Sequence, residues 1–186
     1  MGYCNQTLAG IQLDCSNSLG GIKAVYIANY CDVTKVEIDT VDDSTPTSAD
    51  TTYGKITGIT MNSGALFKPY RFRKQTGSMT STLTVDETAG VNYVSTELAL
   101  VFGKMETTKR LEVAALSKGQ LAVIVEDSNG LFWYLGKDDY VSATAGGGNT
   151  GTAKGDQNAY TITLKDESAT YPYEIEKSAV EAVVED

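Results

Sequence analysis

Period-two alternation of side-chain character, repeated in segment after segment and broken by glycine turns, is what most constrains this chain. Ser78–Asp86 shows it cleanly: Met79, Ser81, Leu83 and Val85 alternate with Thr80, Thr82 and Thr84. Successive side chains of a strand point to opposite faces, so such a run can bury one face only as a β-strand. The residue choice agrees. The chain has 23 Thr and 11 Tyr, which suit a pleated, half-buried surface, and only 3 Pro, which would interrupt pairing. A mainly β fold follows, a β-sandwich or β-barrel protomer with long inter-strand loops.

Further strands are predicted at Ile22–Tyr30, Val33–Val41, Ile56–Met61, Ala65–Thr76 and Val91–Gly103, then at Leu121–Asp127, Leu131–Lys137 and Ala159–Lys165. Glu87-Thr88-Ala89-Gly90 joins Ser78–Asp86 to Val91–Gly103 as a hairpin. Ser128-Asn129-Gly130 joins Leu121–Asp127 to Leu131–Lys137, and its Asn-Gly pair favours a primed turn. Glu106–Ser117 reads as the one internal helix, with Thr107 available as a cap and Gly119 suited to a left-handed C′ position. Residues 145–155 read as a glycine-rich loop. Glu174–Asp186 reads as an acidic amphipathic helix carrying Val180, Val183 and Val184 on one side.

At 186 residues, with uniform composition and no internal repeat, the chain fits one domain, 1–186. Its N-terminal 19 residues read as a polar arm and residues 174–186 as a C-terminal arm. Residues 42–52, acidic, rich in Ser and Thr and broken by Pro46, read as a mobile loop. The start lacks the basic-then-apolar pattern of a secretory signal, and no apolar stretch approaches membrane-spanning length, so no membrane anchor is expected. Cys4, Cys15 and Cys31 are odd in number and lack C-x-x-C spacing, which fits scattered reduced thiols.

Reaction chemistry is hard to find. Without any His, a Ser or Cys nucleophile would lack its commonest base. Asp42-Asp43, Glu126-Asp127 and Asp138-Asp139 lack the spacing of a calcium loop. The glycine-rich run at 146–155 lacks Ser or Thr after Lys154 and leads into a strand, so it fails as a phosphate loop. No enzyme activity, cofactor or metal is expected. The reactive surface is a basic one: Lys68, Arg71, Arg73 and Lys74, interleaved with Tyr70 and Phe72. In one strand Arg71 and Arg73 would share a face. They could meet nucleic-acid phosphates, or pair with carboxylates of a neighbouring segment or subunit, the reading favoured by a formal charge of -9. Trp133 and Leu135 face away from Phe132 and Tyr134; one pair is core, the other a second buried layer or a subunit contact.

Several blocks taken together carry a resemblance: Leu8-Ala9-Gly10-Ile11, the run 20–27, the run 67–74 followed by Ser81–Val85, residues 121–126 with 132–136, and Tyr160–Leu164. Their order resembles small virion structural proteins of tailed phages and prophages of gut anaerobes, of the tail-tube or tail-ring type. The resemblance implies a protomer that assembles with itself into rings, most naturally hexamers, around a channel for DNA passage. It also implies contacts with other tail or connector proteins and a place in the virion tail after assembly in the host cytoplasm. An acidic lumen would let DNA pass without tight binding. On this reading the subunit-interface candidates are Lys68, Arg71, Arg73, Lys74 and Trp133, together with Asp42, Asp43 and Asp50 of the acidic loop. The competing reading is a β-sandwich binding module, a capsid decoration or a glycan-binding adhesin-like protein that uses Trp133 and the tyrosines.

Overall fold

The computed structural model describes Ile11 and residues 17–39 and 54–185. In chain order the first six strands are β1 (Ile22–Asn29), β2 (Val33–Ile38), β3 (Ile56–Met61), β4 (Lys68–Tyr70), β5 (Ser78–Asp86) and β6 (Val91–Gly103). Helix α1 (Thr107–Leu116) follows, then β7 (Leu121–Asp127), β8 (Phe132–Leu135), β9 (Ser142–Asn149), β10 (Ala159–Ser168), β11 (Tyr173–Ile175) and the short helix α2 (Lys177–Glu181). The protein is mainly β and sandwich-like, with two sheets. One has seven strands in the order β2-β3-β11-β8-β7-β1-β4, and the other four in the order β5-β6-β10-β9.

The sandwich interior gathers Val25, Ile27, Val123, Val125 and Leu135 from the larger sheet against Leu98, Leu100, Ile162 and Leu164 from the smaller. A second cluster forms on the opposite face of the larger sheet, where Ala122, Ile124, Phe132 and Tyr134 meet Ile56, Phe67, Ile175, Val180 and Val183. Alternating residues of β7 therefore enter different cores, and its first six residues are all buried. Each fully buried aliphatic side chain stabilises the fold by roughly 1.5–3 kcal/mol relative to exposure, so β7 is the element on which both layers depend. It also settles the aromatic hairpin: Phe132 and Tyr134 belong to a second buried layer.

Most of the predicted strands form, and the β5–β6 hairpin has the predicted bounds. Five expectations need correction. First, Ala65–Thr76 is not one strand, since only Lys68–Tyr70 pairs, with β1. Phe67 instead bridges Val184, its amide donating to the Val183 carbonyl at 2.8 Å. Beyond Tyr70 the chain turns, with Gln75 at φ 64° and the Thr76 hydroxyl donating to the Arg73 carbonyl at 2.6 Å. Pro69, which lacks an amide hydrogen, is accommodated because β4 is an edge strand.

Second, the expected C-terminal arm, 174–186, is no arm over its described residues 174–185. β11 lies inside the larger sheet between β3 and β8, and Val180 and Val183 enter the second core. The apolar side foreseen for a helix is thus spent on the protein's own core, and only Lys177–Glu181 is helical. Third, Ala145–Asn149 is not loop but part of β9, paired along β10. Strand geometry survives its glycines because the ladder is made of backbone hydrogen bonds. Fourth, Thr107 is the first helical residue rather than a cap, and Gly119 does not take a positive φ. Gly119 instead sits against the core: a Cβ there would lie 2.9 Å from Leu121 Cδ2 and 3.4 Å from the Ala115 carbonyl oxygen, so the Leu121 side chain would have to shift. Fifth, the β7–β8 turn is not primed. Only Gly130 has positive φ, after a turn closed by its amide on the Asp127 carbonyl at 3.2 Å. The acidic loop 42–52 and nearly all of the N-terminal arm lie outside the described residues.

Candidate subunit interface

Tertiary structure enlarges the basic feature read from the sequence. Lys68 is exposed on the edge strand β4, and Arg71, Arg73 and Lys74 are exposed in the turn that follows. Because that turn is not a strand, Arg71 and Arg73 do not share a strand face. They go to neighbouring hollows on either side of the Phe102–Gly103 segment. Lys68, Arg71 and Lys109 line a cleft of about 360 Å³ with Phe102, Val113 and Leu116. Arg73 lines a second of about 530 Å³, with Lys104 and Lys154.

Gly103 is the pivot of this region. A Cβ there would lie 3.2 Å from Arg73 Nε, and its carbonyl accepts from Lys109 Nζ at 2.7 Å. Lys109 also pairs with Glu106 at 2.9 Å, and Lys104 approaches the same carboxylate at 3.2 Å. Hydrogen bonds from Lys109 and Lys104 hold Glu106 below the usual carboxylate range. Lys104 sits at φ 67°, held there by its amide donating to the Asn158 carbonyl at 2.7 Å. Segments around positions 70, 104 and 154 thus gather cations from far apart in sequence at one end of an acidic protein, with Glu106, Glu112, Asp156 and Glu185 among them. Only the first was legible as a cluster; isolated lysines far apart in sequence carry no signal that they converge.

The aromatics of the basic segment are used by the fold. Tyr70 Oη donates to Glu112 at 2.5 Å, and its ring tilts against Phe102 at 6.2 Å. Burial first, then the bond to Glu112, push the Tyr70 hydroxyl well above the usual tyrosine range. Phe72 packs against the sandwich core. Neither ring is free to stack on bases, which removes the aromatic half of a nucleic-acid site and leaves the charges.

Trp133 is half-buried beside the sandwich core, its Nε1 donating to Asp127 Oδ2 at 3.3 Å. Asp127 also accepts the amides of Asn129 at 2.8 Å and Leu131 at 2.9 Å. Burial raises its pKa, but these hydrogen bonds outweigh it and the carboxyl sits below its ordinary value. Trp133 is distant in role from the basic end, being locked into the β7–β8 hairpin. Asp42, Asp43 and Asp50 lie outside the described residues.

Two features escaped sequence reasoning. β5 and β9 form the outer edges of the four-stranded sheet, and no strand pairs with either edge among the described residues. The β5–β6 hairpin also overhangs: β10 pairs with β6 only as far as Val94, so residues 84–93 extend past the end of β10. Among the described residues, no group of three or more His, Cys, Asp and Glu is placed to hold a metal ion, and no helix is long and apolar enough to cross a membrane. Compared with known proteins, the chain matches no family model, no curated protein and no solved structure.

Proposed function

We propose that this protein is a structural virion component that assembles head-to-tail into rings of a phage tail tube or tail barrel, leaving a channel for DNA. The observation that carries the reading is the four-stranded sheet, which ends in two long edges, β5 and β9, unpaired among the described residues. β5 and β9 run in opposite directions, because three antiparallel pairings separate them. A neighbour related by rotation therefore offers β5 antiparallel to β9, and repetition closes the smaller sheets into a ring in which neither of these edges is left free.

The face of this sheet turned away from the sandwich would line the channel. By alternation it carries Thr80, Thr82, Thr84, Ser95, Glu97, Thr161, Thr163, Lys165 and Glu167, with Lys165 and Glu167 paired at 2.7 Å. Hydroxyls, with two glutamates against one lysine, give DNA phosphates little to hold. The cationic end, with Lys68, Arg71 and Arg73, is suited to carboxylates of an adjoining subunit or ring.

Electron microscopy of the purified protein, with sedimentation velocity across concentration, tests the proposal. Rings or tubes and a concentration-dependent increase in mass are expected. A strict monomer at high concentration with no rings on grids would reject it and favour a decoration module.

A further inference from the structure

The two free edges differ in a way that specifies how they meet. On β5, Leu83 is 45% and Val85 58% exposed, although both lie on the face of the sheet that turns toward the sandwich core. They share that face with Val94, which is buried, and with Leu98 and Leu100 farther along β6. The hairpin tip extends past the last β10 pairing, and among the described residues both side chains are left largely uncovered.

At the opposite edge the relation is inverted. β9 carries almost no side chain on the same face, where Ala143, Gly146 and Gly148 stand in register with Leu164, Ile162 and Tyr160. Between this bare strip and α1 runs an open groove of about 430 Å³, mostly apolar, walled by Val113, Ala114 and Ser117. One edge thus has large apolar side chains without cover, and the other has cover without side chains. Charge agrees with shape. The hairpin turn carries Asp86 and Glu87, while Arg110 lines the groove and Lys118 follows its wall at the end of α1.

We propose that Leu83 and Val85 of one copy dock in the groove between α1 and β9 of the next, β5 adding antiparallel to β9 as a fifth strand. The occupant is a second copy of this chain, and the contact is heterologous, since hairpin and groove are different surfaces of one protomer. Backbone bonding along the edge supplies continuity, and burial of the two aliphatic side chains sets the register. This deepens the ring reading and rests on it.

The test uses two variants of the full chain, Val85→Glu on the hairpin and Ala114→Trp in the groove. Both positions are exposed, so each variant should keep the thermal unfolding midpoint and circular dichroism of the unaltered protein. In sedimentation velocity each alone is expected to lose the assembled species and run as monomer. An equimolar mixture should form one-to-one dimers and nothing larger, because Val85→Glu keeps an intact groove and Ala114→Trp keeps an intact hairpin. Leu83→Ala, a milder change, should weaken assembly without abolishing it. Rings from either variant at unaltered concentrations, or a mixture that stays monomeric, would overturn the docking while leaving the ring reading standing. An unaltered protein that is itself monomeric would overturn both.

Discussion

Asp166 is the side chain whose environment most departs from what its residue type prefers. It is 3% exposed on the inward face of β10, opposite Thr96, which is itself fully buried and bonded to Ser81 at 2.8 Å. Its carboxylate accepts the Gly136 amide at 3.1 Å. Burial pushes its pKa up to about 6, with Asp138 and Asp139 adding repulsion against the stabilising bonds from Gly136 and Ser168. The folded protein therefore holds this proton more tightly than the unfolded chain. The stability this group contributes is complete below pH 4 and is lost as pH rises through about 6, a difference on the order of 2–3 kcal/mol. Asp166→Asn should remain hydrogen-bonded, unfold at higher urea at pH 7.5, and flatten the stability profile between pH 4 and 7. Urea titrations across that range check it; an unchanged or lower midpoint at pH 7.5 would show that Asp166 is held ionised without cost.

Among the elements, β11 and β7 matter most, and they were legible to different degrees. β7 announces itself as a continuous apolar run, and such a run is what a strand buried on both faces requires. β11 has three residues and no pattern of its own, yet it completes the larger sheet: Ile175 is 2% exposed and pairs with Phe132 on one side and Ile56 on the other. Deleting residues 173–186 should consequently abolish cooperative unfolding and yield aggregated protein, since an internal strand and Val180 and Val183 leave together. A dispensable arm would allow the truncated chain to melt within a few degrees of the full one. By contrast, Leu98→Ala in the sandwich interior should cost about 2–5 kcal/mol of protomer stability, whereas Leu83→Ala on the same sheet face should cost little, because its position is open to solvent. Chemical denaturation of the two variants side by side measures the contrast.

For the molecule as a whole, charge is the controlling quantity. Against a formal charge of -9, Lys68, Arg71, Arg73, Lys104, Lys109 and Lys154 gather around two neighbouring clefts, interspersed with Glu106, Glu112, Asp156 and Glu185. Reversing Arg71 and Arg73 to Glu should impair assembly while leaving the protomer folded, as both are exposed turn residues. Sedimentation with circular dichroism reads both properties. Duplex DNA should show no measurable retention at physiological salt, because the acidic surface repels phosphates and the aromatics beside the basic cluster are engaged. Tight retention that weakens steeply with added salt would instead assign the cationic end to DNA.

The sequence by itself determined the β character, the β5–β6 hairpin, the position of α1 and the glycine turns at Gly90 and Gly130. Each is reported by local alternation or by a residue whose backbone freedom the turn needs. What covers each face was decided only in three dimensions. β9 carries too few side chains to show a period, and its place is set by backbone bonds to a strand ten or more residues away. β11 enters the larger sheet because β3 and β8 leave a gap that its three residues close. The convergence of Arg73, Lys104 and Lys154, and the contrast between a crowded β5 and a bare β9, follow from the same cause. Local pattern states that a face must be buried, and non-local packing alone states against what.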